Sequence, residues 1–205
     1  MPRIQVLELI AGLYSPKKGK IYLENRDAEN IPPEKRGIGF VYQDYSLFPH
    51  LNVYKNIAFG LQLRKVPVKI IKQNVNELAE MLGVAHLMHR FPGTLSGGEQ
   101  QRISLARALI LKPKILLMDE PLSALDPNTK KNLCQELKKI HENYRCTIVH
   151  VTHDFYEAEV LAGRIGVILS GKVRQVGTPS QIFSNSRDQE VAKFLGIPLV
   201  TMCAG

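Results

Sequence analysis

The sequence predicts an α/β fold with a parallel sheet at its core and a helical segment inserted into it, on three observations. Short apolar runs at 38–42, 115–118 and 147–152 have the length of buried strands rather than of helices. They alternate with stretches whose apolar residues recur at helical spacing, the pattern of strand-helix-strand units. No strand signal appears between Gln43 and Leu95, so the segment of about 44–108 reads as helical.

Taken in order, Ile4 to Leu13 has the apolar spacing of a helix, with Gly12 near its C-terminal end and no capping residue ahead of it. Ser15-Pro16-Lys17-Lys18-Gly19 is a turn and Lys20 to Leu23 a short strand. Ile31-Pro32-Pro33-Glu34 breaks the pattern before the run Ile38 to Tyr42, which Gln43 follows directly. Leu47-Phe48-Pro49-His50-Leu51 is a turn with apolar anchors leading to a helix over Val53 to Leu63. Ile71, Val75, Leu78 and Leu82 share one helical face, and Gly83 stands where such a helix stops.

Pro113 separates the next helix from a strand, Ile115 to Met118, buried on both faces and terminating in Asp119-Glu120. Asp126-Pro127 is an N-cap and N1 pair for a helix with the stripe Leu133, Leu137, Ile140 and Tyr144. Thr147 to Thr152 is a strand with His153 at its end. Ile165 to Leu169, Ser170-Gly171 and Val173 to Val176 form a closing hairpin. The tail from Leu199 to Gly205 has little periodicity and is expected to be disordered.

Two features carry chemistry. Leu95-Ser96-Gly97-Gly98-Glu99-Gln100-Gln101-Arg102 contains a capping box, Ser96 with Glu99, so a helix starts there. Gly97 and Gly98 leave its first turn bare. An anion can reach the free N–H groups and the positive end of the helix dipole, with the Ser96 hydroxyl as a further donor. In parallel sheets, ligands lie beyond the carboxyl ends of the strands. Gln43, Asp119, Glu120 and His153 all fall at such ends. Consecutive carboxylates there suit phosphoryl transfer: Asp119 to hold Mg²⁺, and Glu120 to orient or activate an attacking water. Gln43 can accept from a metal-bound water while donating to phosphate, and the His153 imidazole can hydrogen-bond a phosphate oxygen. The remaining histidines, 50, 86, 89, 141 and 150, read as core or surface residues.

Composition limits the alternatives. The 205 residues are 44% hydrophobic and 22% charged, as in one globular domain. No run reaches the roughly 18 apolar residues of a membrane span. Cys134, Cys146 and Cys203 are widely spaced and read as free thiols in a reducing compartment. The net charge of +8 is spread over separate lysine groups, 17, 18 and 20, then 130, 131, 138 and 139, so no dedicated nucleic-acid surface is expected.

With these residues located, the octet at 95–102 resembles the signature sequence of ATP-binding cassette (ABC) ATPases, and the resemblance covers nearly the whole chain. It implies a P-loop NTPase-like core. Ile115 to Glu120 is similar to that family's Walker B strand, with Glu120 as the catalytic glutamate and Asp119 on the metal. Gln43 resembles the Q-loop glutamine, at once catalytic and metal-facing, and His153 the switch histidine. Ser123 to Asp126 matches the D-loop, which with Ser96, Gly97, Gly98 and Glu99 implies contact with nucleotide. The aromatic segment Phe40 to His50 and the closing Gly177-Thr178-Pro179 are typical of importer ATPases, and within them the chain is most similar to archaeal molybdate/tungstate importers.

That family's phosphate loop, G-x-x-x-x-G-K-[ST], is not matched by this chain. Gly166 to Lys172 fits only the first seven positions, its intervening residues read as a strand, and Val173 follows. Aligned on Leu7-Glu8-Leu9-Ile10-Ala11-Gly12, Arg3 stands at the lysine position and Ile4 at the hydroxyl position. The expectation is one ABC ATPase domain over 1–205, truncated at its N-terminal end, with a helical subdomain at about 44–108.

The resemblance implies ATP and Mg²⁺ as cofactors and energised import of a small solute such as molybdate or tungstate. It also implies a second ATPase subunit in a dimer, membrane permease subunits, and a solute-binding protein reached through the permease. The protein would then sit peripherally on the cytoplasmic face of the membrane and bind no nucleic acid. A catalytically degenerate subunit and a non-transport ABC ATPase are the alternatives.

Overall fold

The computed structural model describes residues 4–123, 125–144, 146–184, 186 and 188–196. The described residues up to Thr152 form one compact unit and those from His153 onward a second. Arg3, Ala124, Cys203 and the tail from Leu199 lie outside the described residues.

The first unit opens with helix α1 (Ile4–Ala11) and a two-residue hairpin, β1 (Tyr22–Leu23) and β2 (Arg26–Asp27), where the sequence predicts a longer single strand. Its turn residues Glu24 and Asn25 have φ of 49° and 61°, the left-handed pair of a tight hairpin turn. Strand β3 (Ile38–Val41) follows. Between it and β4 (Ile115–Asp119) the described residues hold only helices: α2 (Val53–Leu63), α3 (Val68–Met81), α4 (Gly97–Leu109) and short 3-10 turns. Helix α5 (Pro127–Tyr144) leads to β5 (Thr147–Val151).

The sheet is parallel, in the order β3-β4-β5, with Val41 opposite Met118 and Asp119 opposite Val151. Its middle strand is buried from Leu116 to Asp119, which is why that run reads as continuously apolar. Leu7 and Ala11 of α1 pack with Leu117, flanked by Ile38, Phe40, Val149 and Val151. In the helical segment Ile71, Val75 and Leu78 of α3 are buried together on the predicted face, and Gly83, at φ 65°, ends that helix. The loop ahead of α2 is held by Asn56, fully buried. Its amide donates to the carbonyls of Phe48, Leu51 and Asn52, while its oxygen accepts from the Phe48 N–H.

The second unit contains α6 (Phe155–Leu161), the antiparallel pair β6 (Ile165–Leu169) and β7 (Lys172–Gly177), α7 (Pro179–Phe183) and α8 (Gln189–Leu195). The hairpin turns at Ser170 and Gly171, φ 49° and 75°, so Gly166 to Lys172 is strand and turn. Val167, Ile182 and Val191 form the core of this unit. Cys134 and Cys146 are buried thiols. No helix among the described residues is long and apolar enough to cross a membrane.

Candidate functional site

Helix α4 begins as its sequence demands. The Ser96 N–H and Oγ donate to Glu99 Oε2 at 2.7 and 3.0 Å, and the Glu99 N–H donates to Ser96 Oγ at 3.4 Å, closing the capping box. These bonds from Ser96 hold the Glu99 carboxyl below its ordinary range. The Ser96 hydroxyl proton, expected to be available to a ligand, is thus engaged by Glu99. The open donors of this first turn are backbone N–H groups, which an α-helix leaves without intrahelical partners.

Gly97 is exposed and Gly98 half-buried. A Cβ on Gly97 would stand 3.6 Å from the Tyr45 hydroxyl and 3.9 Å from Leu125 Cδ2, and one on Gly98 3.4 Å from Thr129 Cγ2. A Cβ at 97 would thus stand in ordinary contact with Tyr45 and Leu125. Leu125 and Thr129 flank Asp126, whose Oδ1 accepts from the N–H groups of Asn128 and Thr129 at 3.1 Å each. Hydrogen bonds from Thr129, side chain first, lower the Asp126 pKa. Asp126 thus caps α5 as predicted, close beside the bare turn of α4.

The parallel register sets Gln43, two residues past Val41, and Asp119-Glu120 at the same carboxyl edge of the sheet. Gln43 is exposed. Asp119 is 3% exposed, and its carboxyl is pushed above the ordinary range by burial, then by the charges of Glu120 and Glu8. Glu8, on α1, is the member of this group that sequence reading missed; its approach to Asp119 depends on how α1 lies on the sheet. Glu120 has φ 41°, an uncommon backbone for a non-glycine residue. It is held there by its N–H bond to Val151 O at 2.9 Å and by the Ser123 hydroxyl, which donates to its carbonyl at 2.8 Å. A backbone kept in a costly conformation by its surroundings is a frequent mark of a functional site.

His153 is exposed and opens the second unit. Among the described residues no group of three or more His, Cys, Asp or Glu side chains forms a metal cage. The charges of Glu120 and Glu8 that raise the proton affinity of Asp119 would nonetheless favour a divalent cation beside it, whose charge would reverse that effect. Such a site matches an ion that takes one or two protein carboxylates and completes its shell with phosphate and water.

A family model described as ABC transporter matches residues 5–123. The chain is 51% identical over 191 residues to the molybdate/tungstate import ATP-binding protein of Pyrococcus horikoshii, covering 93% of this chain and 55% of that one. It is 50% identical over 189 residues to the protein of the same description from Archaeoglobus fulgidus, covering 92% of this chain and 78% of that one. The chain thus spans little more than half the length of the first of these curated relatives.

Among solved structures, cbiO1 of Clostridium perfringens, part of the ABC transporter complex cbiONQ, superposes with a TM-score of 0.81 at 26% identity, covering 89% of this chain and 74% of that one. A dimeric post-hydrolysis ATP-binding cassette bound to ADP and Pi superposes with a TM-score of 0.77 at 30% identity, covering 86% of this chain and 80% of that one. The bare capped turn, the paired carboxylates at a parallel strand end and these likenesses agree, and the chain belongs to the ABC transporter family.

Proposed function

We propose that this chain is the ATP-binding and ATP-hydrolysing part of an ABC importer, and that the solute is molybdate or tungstate. The observation that supports the reading best is the first turn of α4, capped by Ser96 and Glu99 and left without side chains at Gly97 and Gly98. In a head-to-tail dimer this turn receives the terminal phosphate of an ATP held by the other subunit, as a helix N-terminus receives an anion. Asp119, crowded by Glu120 and Glu8, would hold Mg²⁺ with Gln43 at its edge, and the ion would neutralise phosphate charge there. Glu120 orients and deprotonates the attacking water, and His153 donates to a phosphate oxygen.

Residues 44–108 act as a helical subdomain and 1–205 as one ATPase domain. The working assembly pairs two such subunits beneath permease subunits on the cytoplasmic face of the membrane, with a solute-binding protein engaged through the permease and no nucleic acid. The solute assignment rests on the description of the relatives alone, since the ATPase chain does not touch the solute. Deleting the gene should abolish molybdate and tungstate uptake, and normal uptake of both would remove that assignment.

A polypeptide of these 205 residues contains no G-x-x-x-x-G-K-[ST] and should turn over ATP poorly by itself. Its signature turn can still serve an intact cassette. In a mixed dimer with such a cassette, Ser96→Arg should place bulk over the bare turn and close its backbone donors to the phosphate, lowering ATP turnover by roughly 100-fold or more, the scale of losing preorganised donors. Unchanged turnover in an assembled mixed dimer would show that α4 does not face the nucleotide.

A further inference from the structure

The loop carrying Gln43 does not cross the surface freely; it lies along helix α4 and touches it at two places. Tyr45 and Ser46 both have left-handed backbones, with φ of 60° and 44°, which non-glycine residues adopt only where surrounding contacts hold them. Those contacts come from the C-terminal half of α4. The Ser104 hydroxyl donates to Tyr45 O at 3.0 Å. The Arg107 guanidinium donates to Tyr45 O at 3.2 Å and to Ser46 O at 2.7 Å, and sits 5.1 Å from the centre of the Phe48 ring. Arginine suits this place because its planar fork reaches two carbonyls at once while its face stacks on an aromatic ring.

The other contact is at the first turn of the same helix. Tyr45 is 9% exposed, and its hydroxyl, which finds no hydrogen-bond partner among the described residues, lies 3.6 Å from the Cβ position of Gly97. Gly97 and Arg107 are about 15 Å apart along the helix at 1.5 Å per residue. One residue, Tyr45, therefore reaches the bare turn with its side chain while Arg107 grips its backbone from the third turn.

We propose that Arg107 is a positioning residue that fixes the Gln43 loop to α4, so that Gln43 and the first turn of α4 move as one body. This rests on reading both as nucleotide-facing. When phosphate draws the helix turn, the loop after β3 follows, and the Gln43 side chain is delivered with it. Ser104 assists from one turn earlier.

Amide hydrogen exchange of the chain reads this without nucleotide, so its failure would leave the ATP assignment to the mixed-dimer experiment. The probes are the amides of Tyr45 and Ser46 in the loop, and of Gln100, bonded to Ser96 O at 2.9 Å, and Gln101 at the start of α4. Arg107→Met should accelerate exchange at both sets by tenfold or more, and Arg107→Lys, which keeps one charged donor, should restore most of the protection. Tyr45→Ala, which leaves Arg107 in place, should loosen Gln100 and Gln101.

A residue that only braces the loop would free Tyr45 and Ser46 and leave Gln100 and Gln101 unchanged. That result, or unchanged exchange at both sets, overturns the proposal. If Arg107→Met does not fold, Ser104→Ala removes the other side-chain bond to Tyr45 O and carries the test, with the same two results deciding.

Discussion

Asp119 is the residue whose environment conflicts most with its charge. Its folded-state pKa is raised, first by burial and then by Glu120 and Glu8. Between the unfolded value, about 3.9, and the raised folded value, the native state keeps a proton that the unfolded state has lost. The stabilisation from the neutral carboxyl is therefore complete below about pH 4 and is lost as pH rises through the folded pKa. Above that pKa the ionised side chain weighs against the folded state. Asp119→Asn should raise the urea midpoint at pH 7, and the difference should shrink as the pH falls to about 4. A lower midpoint for the variant at pH 7 would mean that the carboxylate is stabilised by its surroundings instead. The positions of Gln43, Asp119 and Glu120 at strand ends were legible because each follows an apolar run of strand length. Glu8 was not, because only the packing of α1 on the sheet brings its charge to bear, and no local pattern encodes that packing.

At the level of elements, the ends of α1 and α4 illustrate what a sequence does and does not disclose. The α4 start was legible to the residue, since a capping box is closed by side chains three positions apart. The same holds for α5 with Asp126 and for the stop of α3 at Gly83. The C-terminal end of α1 is different. Arg36, more than twenty residues later, donates to Leu9 O and Ile10 O at 3.2 and 2.8 Å, and also to Ile31 O and Ala28 O at 2.8 Å each. One guanidinium thus closes the helix and pins the hairpin region to it, which no neighbouring residue announces. Gly12 makes this possible: it has φ 85°, and a Cβ there would stand 2.5 Å from Arg36 Cζ. Gly12→Ala should destabilise the chain by about 2–4 kcal/mol, combining a left-handed backbone cost with disturbed bonds to the part-buried carbonyls. Chemical denaturation checks this, and a loss below about 0.5 kcal/mol, the range of ordinary surface changes, would show that Arg36 relocates without cost. Helices α6, α7 and α8 were missed. They are only five to seven residues long, too short for helical periodicity to emerge, although Asp154, Thr178 with Gln181, and Asp188 cap them.

On the scale of the whole molecule, two compact units of unequal strength follow from where the apolar residues lie. The first contains the fully buried Leu7, Ile57, Leu82, Ile103, Leu116, Leu117 and Leu133, and three parallel strands. The second centres on Val167, Ile182 and Val191 with one hairpin. A unit of about fifty residues with so small a core is marginal by itself, because surface dominates volume at that size. Around that core Phe155 meets the rings of Phe183 and Phe194 at its partly exposed rim, and Arg174 pairs with Asp188 at 3.2 Å and with Glu190 at 2.9 Å, partly exposed pairs that contribute little. The first unit has its own weakness, since among the described residues β5 pairs only with β4 and leaves its other edge open. Unfolding of the 205-residue chain should therefore fall into at least two steps. In hydrogen exchange across a urea series, segments covering β6 to α8 should lose protection at a lower concentration than those covering β4 and α4, with β5 opening ahead of β4. The order matters because all members of the sheet-end group, Gln43, Asp119 and Glu120, lie in the first unit, whereas His153 lies in the second. Mild urea would then unfold the segment that begins at His153 while the carboxylate pair and the α4 cap remain formed. Coincident loss of protection in every segment would show that the two units fold as one cooperative body, and that the small core at Val167 draws its stability from outside itself.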